Sequence, residues 1–190
     1  SGKPSCYARA MRERSDEALV ADWSDGSMAA FEALYARYRG PLYRYFLRLS
    51  GDASRANDLY QGCWEKVIRA RRRYRPTGPF RAWLFRVAHN HAMDDFRRSA
   101  PLTGLDDADT ASTQPDPADH AVAAERAARL AEAVSGLPPE QRDAMLLKLE
   151  GGLDLETIAR ITGVGRETAK SRLRYATARL KKALSGERTE

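Results

Sequence analysis

Arg166, Glu167, Lys170, Ser171 and Arg174 carry the sharpest chemical pattern in this chain. Their spacing places them on one side of a helix, while Ala169, Leu173, Ala176 and Leu180 repeat at steps of 4, 3 and 4 and must face inward. The displayed side is rich in cations and donors that suit phosphates and guanine edges, with Ser171 as a short adaptable contact. Just upstream, DLETIARIT supplies a short helix with Asp154 as its cap and Glu156 in its positively polarised first turn. Ile158, Ala159 and Ile161 form its inner face, and Gly163–Val164–Gly165 turns the chain. A short helix, a glycine-bearing turn and a helix with a basic N-terminal half make a helix-turn-helix pattern, which points to DNA. A plain helical hairpin with a solvated basic face has the same spacing.

Other residues form weaker sets. Arg86, Asn90 and Arg97 fall at steps of 4 and 7, opposite Trp83, Leu84, Val87 and Ala88. Asp58 and Gln61 lie three apart and away from the apolar stripe Leu59, Cys63 and Val67. Catalytic constellations are missing. His89 and His91 are two apart, so on a helix they point to different faces and share no metal, and His120 lies in an acidic stretch. There is no phosphate-binding glycine loop, nucleophile elbow or paired-carboxylate motif. Asp94 and Asp95 are adjacent, as on a solvated face, and Cys6 and Cys63 are too far apart for a CxxC pair. The expectation is a non-enzyme without metal or cofactor.

The elements that carry these sets are helices. Phe31, Leu34, Tyr35, Tyr38, Leu42, Phe46 and Leu49 recur at helical steps, with Pro41 expected to kink or break the helix near Gly40. A second helix is expected from about Ser54 to Arg73, with Leu59, Cys63, Val67 and Ala70 inside. A third should begin near Thr77–Gly78–Pro79 and bury Phe80, Trp83, Leu84, Val87, Ala88 and Phe96. LPPEQRDAMLLKLEGGL predicts another, begun at Pro138–Pro139 and stopped by Gly151–Gly152. No segment alternates as a strand would, so the fold is expected to be all-α.

Charge divides the chain. Residues 31–99 carry net +9, residues 100–120 carry net −5, and residues 121–190 carry net +3. The middle stretch, PLTGLDDADTASTQPDPADH, has no apolar periodicity and predicts a flexible acidic linker between two small helical domains. Residues 25–99 and 121–190 are those domains, with 1–24 as an N-terminal extension. The overall +6 charge suits a polyanionic partner. No apolar run approaches the ~20 residues of a membrane span, and no secretion signal is visible, so a soluble cytoplasmic protein is expected.

LPPEQRDAMLLKLEGGLDLETIARITGVGRETAKSRLRYATARLKKAL resembles region 4 of bacterial sigma factors, whose pattern is an L-P-x-x-x-R helix followed by E-x-I-A…G…T-V-K-S-R-L. FEALYARYRGPLYRYFLRL, DASRANDLYQGCWEKVIRA and FRAWLFRVAHNHAMDDFRR are similar to successive helices of region 2. Both blocks stand in the family's order with no globular region 3 between them, as in the small extracytoplasmic-function class. The resemblance implies a subunit that binds core RNA polymerase at its largest-subunit clamp and its flap, using Asp58, Gln61 and Glu65. It implies minus-ten DNA binding by Arg75, Phe80, Arg86, Asn90, Arg97 and Arg98, with Asn90 near a flipped base. It assigns the minus-thirty-five element to Arg166, Glu167, Lys170, Ser171 and Arg174, and an anti-sigma factor as a further partner. A helix-turn-helix regulator acting without polymerase is the alternative. The chain departs from the family at Gly62, where an acidic residue is usual, at Tyr60 for an aliphatic residue, at Gly165 for a capping hydroxyl, and at Ala169 for Val.

Overall fold

Residues 11, 13–71, 74, 78–99 and 121–185 are described in the computed structural model. Arg75, the linker at 100–120 and the first ten residues lie outside them. The described residues form helices and no strand. The N-terminal group is α1 (Asp16–Ser24), α2 (Met28–Ser50), α3 (Ala53–Ala70) and α4 (Phe80–Ser99). The C-terminal group is α5 (Ala121–Ser135), α6 (Pro139–Leu149), α7 (Leu155–Thr162) and α8 (Arg166–Ser185).

Local chemistry starts and stops these helices where it should. Ser15, Ser27 and Asp52 cap α1, α2 and α3, each accepting a hydrogen bond from an amide of the first turn. Pro139 sits in the first turn of α6, where its missing amide hydrogen costs nothing. Gly51 ends α2 at φ 71°, a left-handed conformation that favours glycine.

Three expectations change. α2 runs through Pro41 without a break, because Leu34, Tyr38, Leu42, Tyr45 and Phe46 are buried on both sides of it. That tertiary burial outweighs the roughly 3 kcal/mol cost of an interior proline. Second, Asp16–Ser24, taken with an extension, is a helix that buries Leu19, Val20 and Trp23. Asp16 then accepts from both Arg37 and the Tyr38 hydroxyl on α2. Burial and this carboxylate push the Tyr38 phenol up to about 12. Third, α3 ends at Ala70 and α4 begins at Phe80, both inside the bounds expected.

The two groups of helices pack against each other. α6 lies on α2, and α7 lies on α4. Asp143 of α6 is buried at this seam, taking a hydrogen bond from Tyr45 Oη at 2.7 Å. His89 Nδ1 lies 3.0 Å from its other oxygen, without the alignment of a hydrogen bond. Glu150 receives Arg44 Nε at 2.9 Å and Arg48 Nη1 at 2.6 Å. Arg142 reaches back across the seam to the carbonyl of Leu49 at 3.3 Å. Gly151 and Gly152 permit this closeness: a Cβ on Gly151 would come within 3.2 Å of Phe85, and one on Gly152 within 2.8 Å of Arg81. The glycines expected only to stop a helix therefore also serve as contact points.

Candidate nucleic-acid interface

α7 and α8 build the helix-turn-helix. Asp154 caps α7 by accepting from the Thr157 amide at 2.8 Å, and that bond holds its carboxyl below the ordinary value. Gly163 turns the chain out of α7 at φ 67°. α8 buries Ala169, Ala176 and Leu180, and Leu173 packs beside them. Arg166, Glu167, Lys170 and Arg174 are exposed on its outer side, and Ser171 is half-buried. The set named from spacing is thus presented together.

Its members are linked by charge. Arg166 Nε lies 2.6 Å from Glu156 Oε1 of α7, and Arg166 Nη1 lies 3.5 Å from Glu167. Glu167 also faces Lys170 Nζ at 3.7 Å. Arg174 stacks its guanidinium over the Tyr175 ring at 4.9 Å. Tyr175, with 52% of its surface exposed, is a large aromatic that sequence reasoning passed over. Its place one residue after Arg174 was the available signal.

α4 carries the second set. Arg86, Asn90, Arg97 and Arg98 are all exposed along it. Arg97 bonds Asp94 at 2.5 Å, and Arg98 lies 3.9 Å from Asp95. The adjacent acids therefore act as partners for the two arginines. Phe80 corrects an expectation. It is 1% exposed and packed among the rings of Tyr38, Tyr74 and Trp83, so it offers no face for stacking on a base. The half-buried Trp83 lies on the surface instead, lining a small cavity of about 70 Å³ with Arg86. Thr157, Arg160 and Ile161 of α7 form its other wall, so the helix-turn-helix stands over the first half of α4.

α3 displays the third set. Asp58, Gln61 and Glu65 are exposed, and Glu65 pairs with Arg69 at 3.3 Å. The departure at Gly62 has a structural reason. A Cβ there would lie 2.6 Å from His91 Nε2, so the His91 ring of α4 occupies the space a side chain would need. Both ring nitrogens of His91 are buried without a hydrogen-bond partner. Burial and the neighbouring Lys66 lower its pKa. Cys63 is a buried core thiol, pushed up to about 12 by burial. Among the described residues there is no cluster of ligands suited to a metal ion, and no helix long and apolar enough to cross a membrane.

Comparison with known proteins agrees with this layout. Residues 34–101 match the family described as Sigma-70 region 2, and residues 127–180 match Sigma-70, region 4. The chain is 34% identical to the ECF RNA polymerase sigma factor SigL of Mycobacterium tuberculosis, over 88% of this chain and 96% of that one. It is 30% identical to the RNA polymerase sigma factor CarQ of Myxococcus xanthus, over 84% of this chain and 92% of that one. In fold it is similar to CnrH, solved in complex with the cytosolic domain of CnrY, at TM-score 0.66, 24% identity and coverage of 92% and 99%. It is also similar to the sigma factor RpoE of Bartonella quintana, solved with the anti-sigma factor NepR, at TM-score 0.63, 22% identity and coverage of 83% and 98%. With both regions matched in order and relatives aligned along nearly their whole length, the chain belongs to the sigma-70 family, among its ECF RNA polymerase sigma factors.

Proposed function

We propose that this chain docks on core RNA polymerase through the α3 face of Asp58, Gln61 and Glu65, opens the minus-ten element with α4, and reads the minus-thirty-five element with α8. The observation that carries this reading is the separation of three exposed polar faces on three different helices. One protein docking face and two DNA faces are what promoter recognition needs. On α4, Arg86, Arg97 and Arg98 hold backbone phosphates while Asn90 bonds the edge of an unstacked base. An amide suits that task because it both donates and accepts. Unstacking costs a few kcal/mol, which such pocket contacts offset. On α8, Arg166, Glu167, Lys170, Ser171 and Arg174 enter the major groove.

The placement of the acidic 100–120 stretch between the two DNA-reading regions suits a connector that crosses the polymerase cleft. An anti-sigma factor is the further partner. The solved complex of the Bartonella sigma factor with such a factor supports that assignment. The test is run-off transcription with core enzyme across a promoter library. Specific start sites that require this chain support the reading. DNA binding that persists without any recruitment of core enzyme overturns it in favour of a free-standing regulator.

A further inference from the structure

The recognition helix begins in an unusual way for its task. Gly165 precedes Arg166, so no side chain caps the first turn of α8. Glycine is an acceptable cap but offers no side-chain oxygen to the first turn, so a base-reading residue at the first position draws its support from elsewhere. The structure holds this residue from another element. Glu156, in the first turn of α7, takes Arg166 Nε at 2.6 Å. Nε is the inner nitrogen of the guanidinium. Its capture leaves the terminal pair, with Nη1 held only by a long 3.5 Å approach to Glu167, to face the O6 and N7 acceptors of guanine.

Glu156 suits the positively polarised first turn of α7, but its pairing with Arg166 adds little as a stability device. It is 65% exposed and its partner 55%, and surface pairs of this kind contribute little to folding. It is also a carboxylate beside the surface that the proposed function places against phosphates, which on charge alone disfavours binding. An acidic group kept at a DNA face, in contact with a base-reading arginine, makes sense as an orienting group.

We infer that Glu156 is a positioning residue for specificity: it aims Arg166 at a guanine in the upstream promoter element. This rests on the proposed role of α8. Arg166 touches the base; Glu156 acts through Arg166. Removing Glu156 therefore lowers discrimination at one base position and does not weaken binding to DNA in general.

The experiment uses the full chain reconstituted with core RNA polymerase. Binding is measured on a promoter library randomised across the upstream element, for the wild type, Glu156→Gln, Arg166→Ala and the double variant. Glutamine keeps the shape and removes the charge, and a melting curve checks that each variant is folded. Arg166→Ala should lower the preference for guanine at one position on the order of tenfold. Glu156→Gln should lower it at the same position by about three- to fivefold, with affinity for unrelated duplex equal or higher. In the Arg166→Ala background, Glu156→Gln should change nothing further at that position.

If Arg166→Ala relaxes the preference and Glu156→Gln leaves it intact, the inference is wrong while the role of α8 stands. An effect of Glu156→Gln that persists at full size without Arg166 also overturns it, since that marks a structural or direct role. Should the wild-type holoenzyme show no base preference in the upstream element, or Arg166→Ala leave it unchanged, the reading of Arg166 itself fails, and the inference with it.

Discussion

Asp143→Ala probes the seam at its most buried point. Asp143 is 5% exposed and meets Tyr45 Oη at 2.7 Å and His89 Nδ1 at 3.0 Å. A hydrogen bond to a charged acceptor contributes about 1.5–3 kcal/mol. Alanine also leaves the Tyr45 hydroxyl, on a fully buried ring, without its acceptor. These two effects overlap, so the closed arrangement should lose about 2–3 kcal/mol relative to one with the halves parted. That is a shift of roughly thirty- to over a hundredfold in the equilibrium between them. Tyr45→Phe removes only the donor and should cost about half as much. Energy transfer between dyes on Gln61 of α3 and Lys182 of α8 reads the distance across the seam directly. The expected result is a longer mean distance for Asp143→Ala, a smaller change for Tyr45→Phe, and non-additivity in the double variant. Unchanged distances in all three would refute the assignment of the seam to this trio and leave the shared apolar cluster, with Glu150, Arg44 and Arg48, as what holds it.

Asp58→Arg should weaken binding to core polymerase by reversing charge on the docking face, while the melting temperature hardly moves because the site is exposed; fluorescence anisotropy with core enzyme checks it. Asn90→Ala should retain closed-complex formation but reduce permanganate reactivity of the minus-ten region, and a premelted template should restore much of the transcription. His91 titrates below its ordinary 6.5 because it is buried against α3 beside Lys66. The unfolded chain therefore takes up a proton that the folded chain resists, so stability should fall as pH drops below about 6.5. Urea melts at successive pH values should show this loss in the wild type and its reduction in His91→Gln.

Much of the layout was legible because periodicity reports which side of a helix is buried. Ala169, Ala176 and Leu180 lie inside α8, as their steps required, and the cationic set lies outside. Pro41 was misjudged because a local rule was applied where burial on both sides decides. Phe80 is named twice, as an inner residue and as a minus-ten DNA contact, and the packed rings around it leave room for only the first. The seam was invisible for a different reason. Tyr45, His89 and Asp143 lie on three helices far apart in the chain, and each alone has an ordinary polar-residue reading. Gly62 could be flagged as a departure, but its explanation needed a ring from α4 that no spacing rule brings to α3.

The seam adds polar ties to a core that the two groups share. Carboxylates, a phenol, an imidazole and guanidinium groups meet there, beside an apolar cluster that joins Phe46 and Phe85 to Leu146, Leu147 and Leu153. Each of those polar groups finds water as a ready substitute if the halves part, while the apolar faces would meet solvent uncovered. The first half of α4 lies partly under α7, with Trp83 at the covered edge and Arg86 and Asn90 exposed, while the α3 face lies wholly in the open. In mechanical terms the chain resembles a clasp whose hook is exposed and whose blade is sheathed along one edge only.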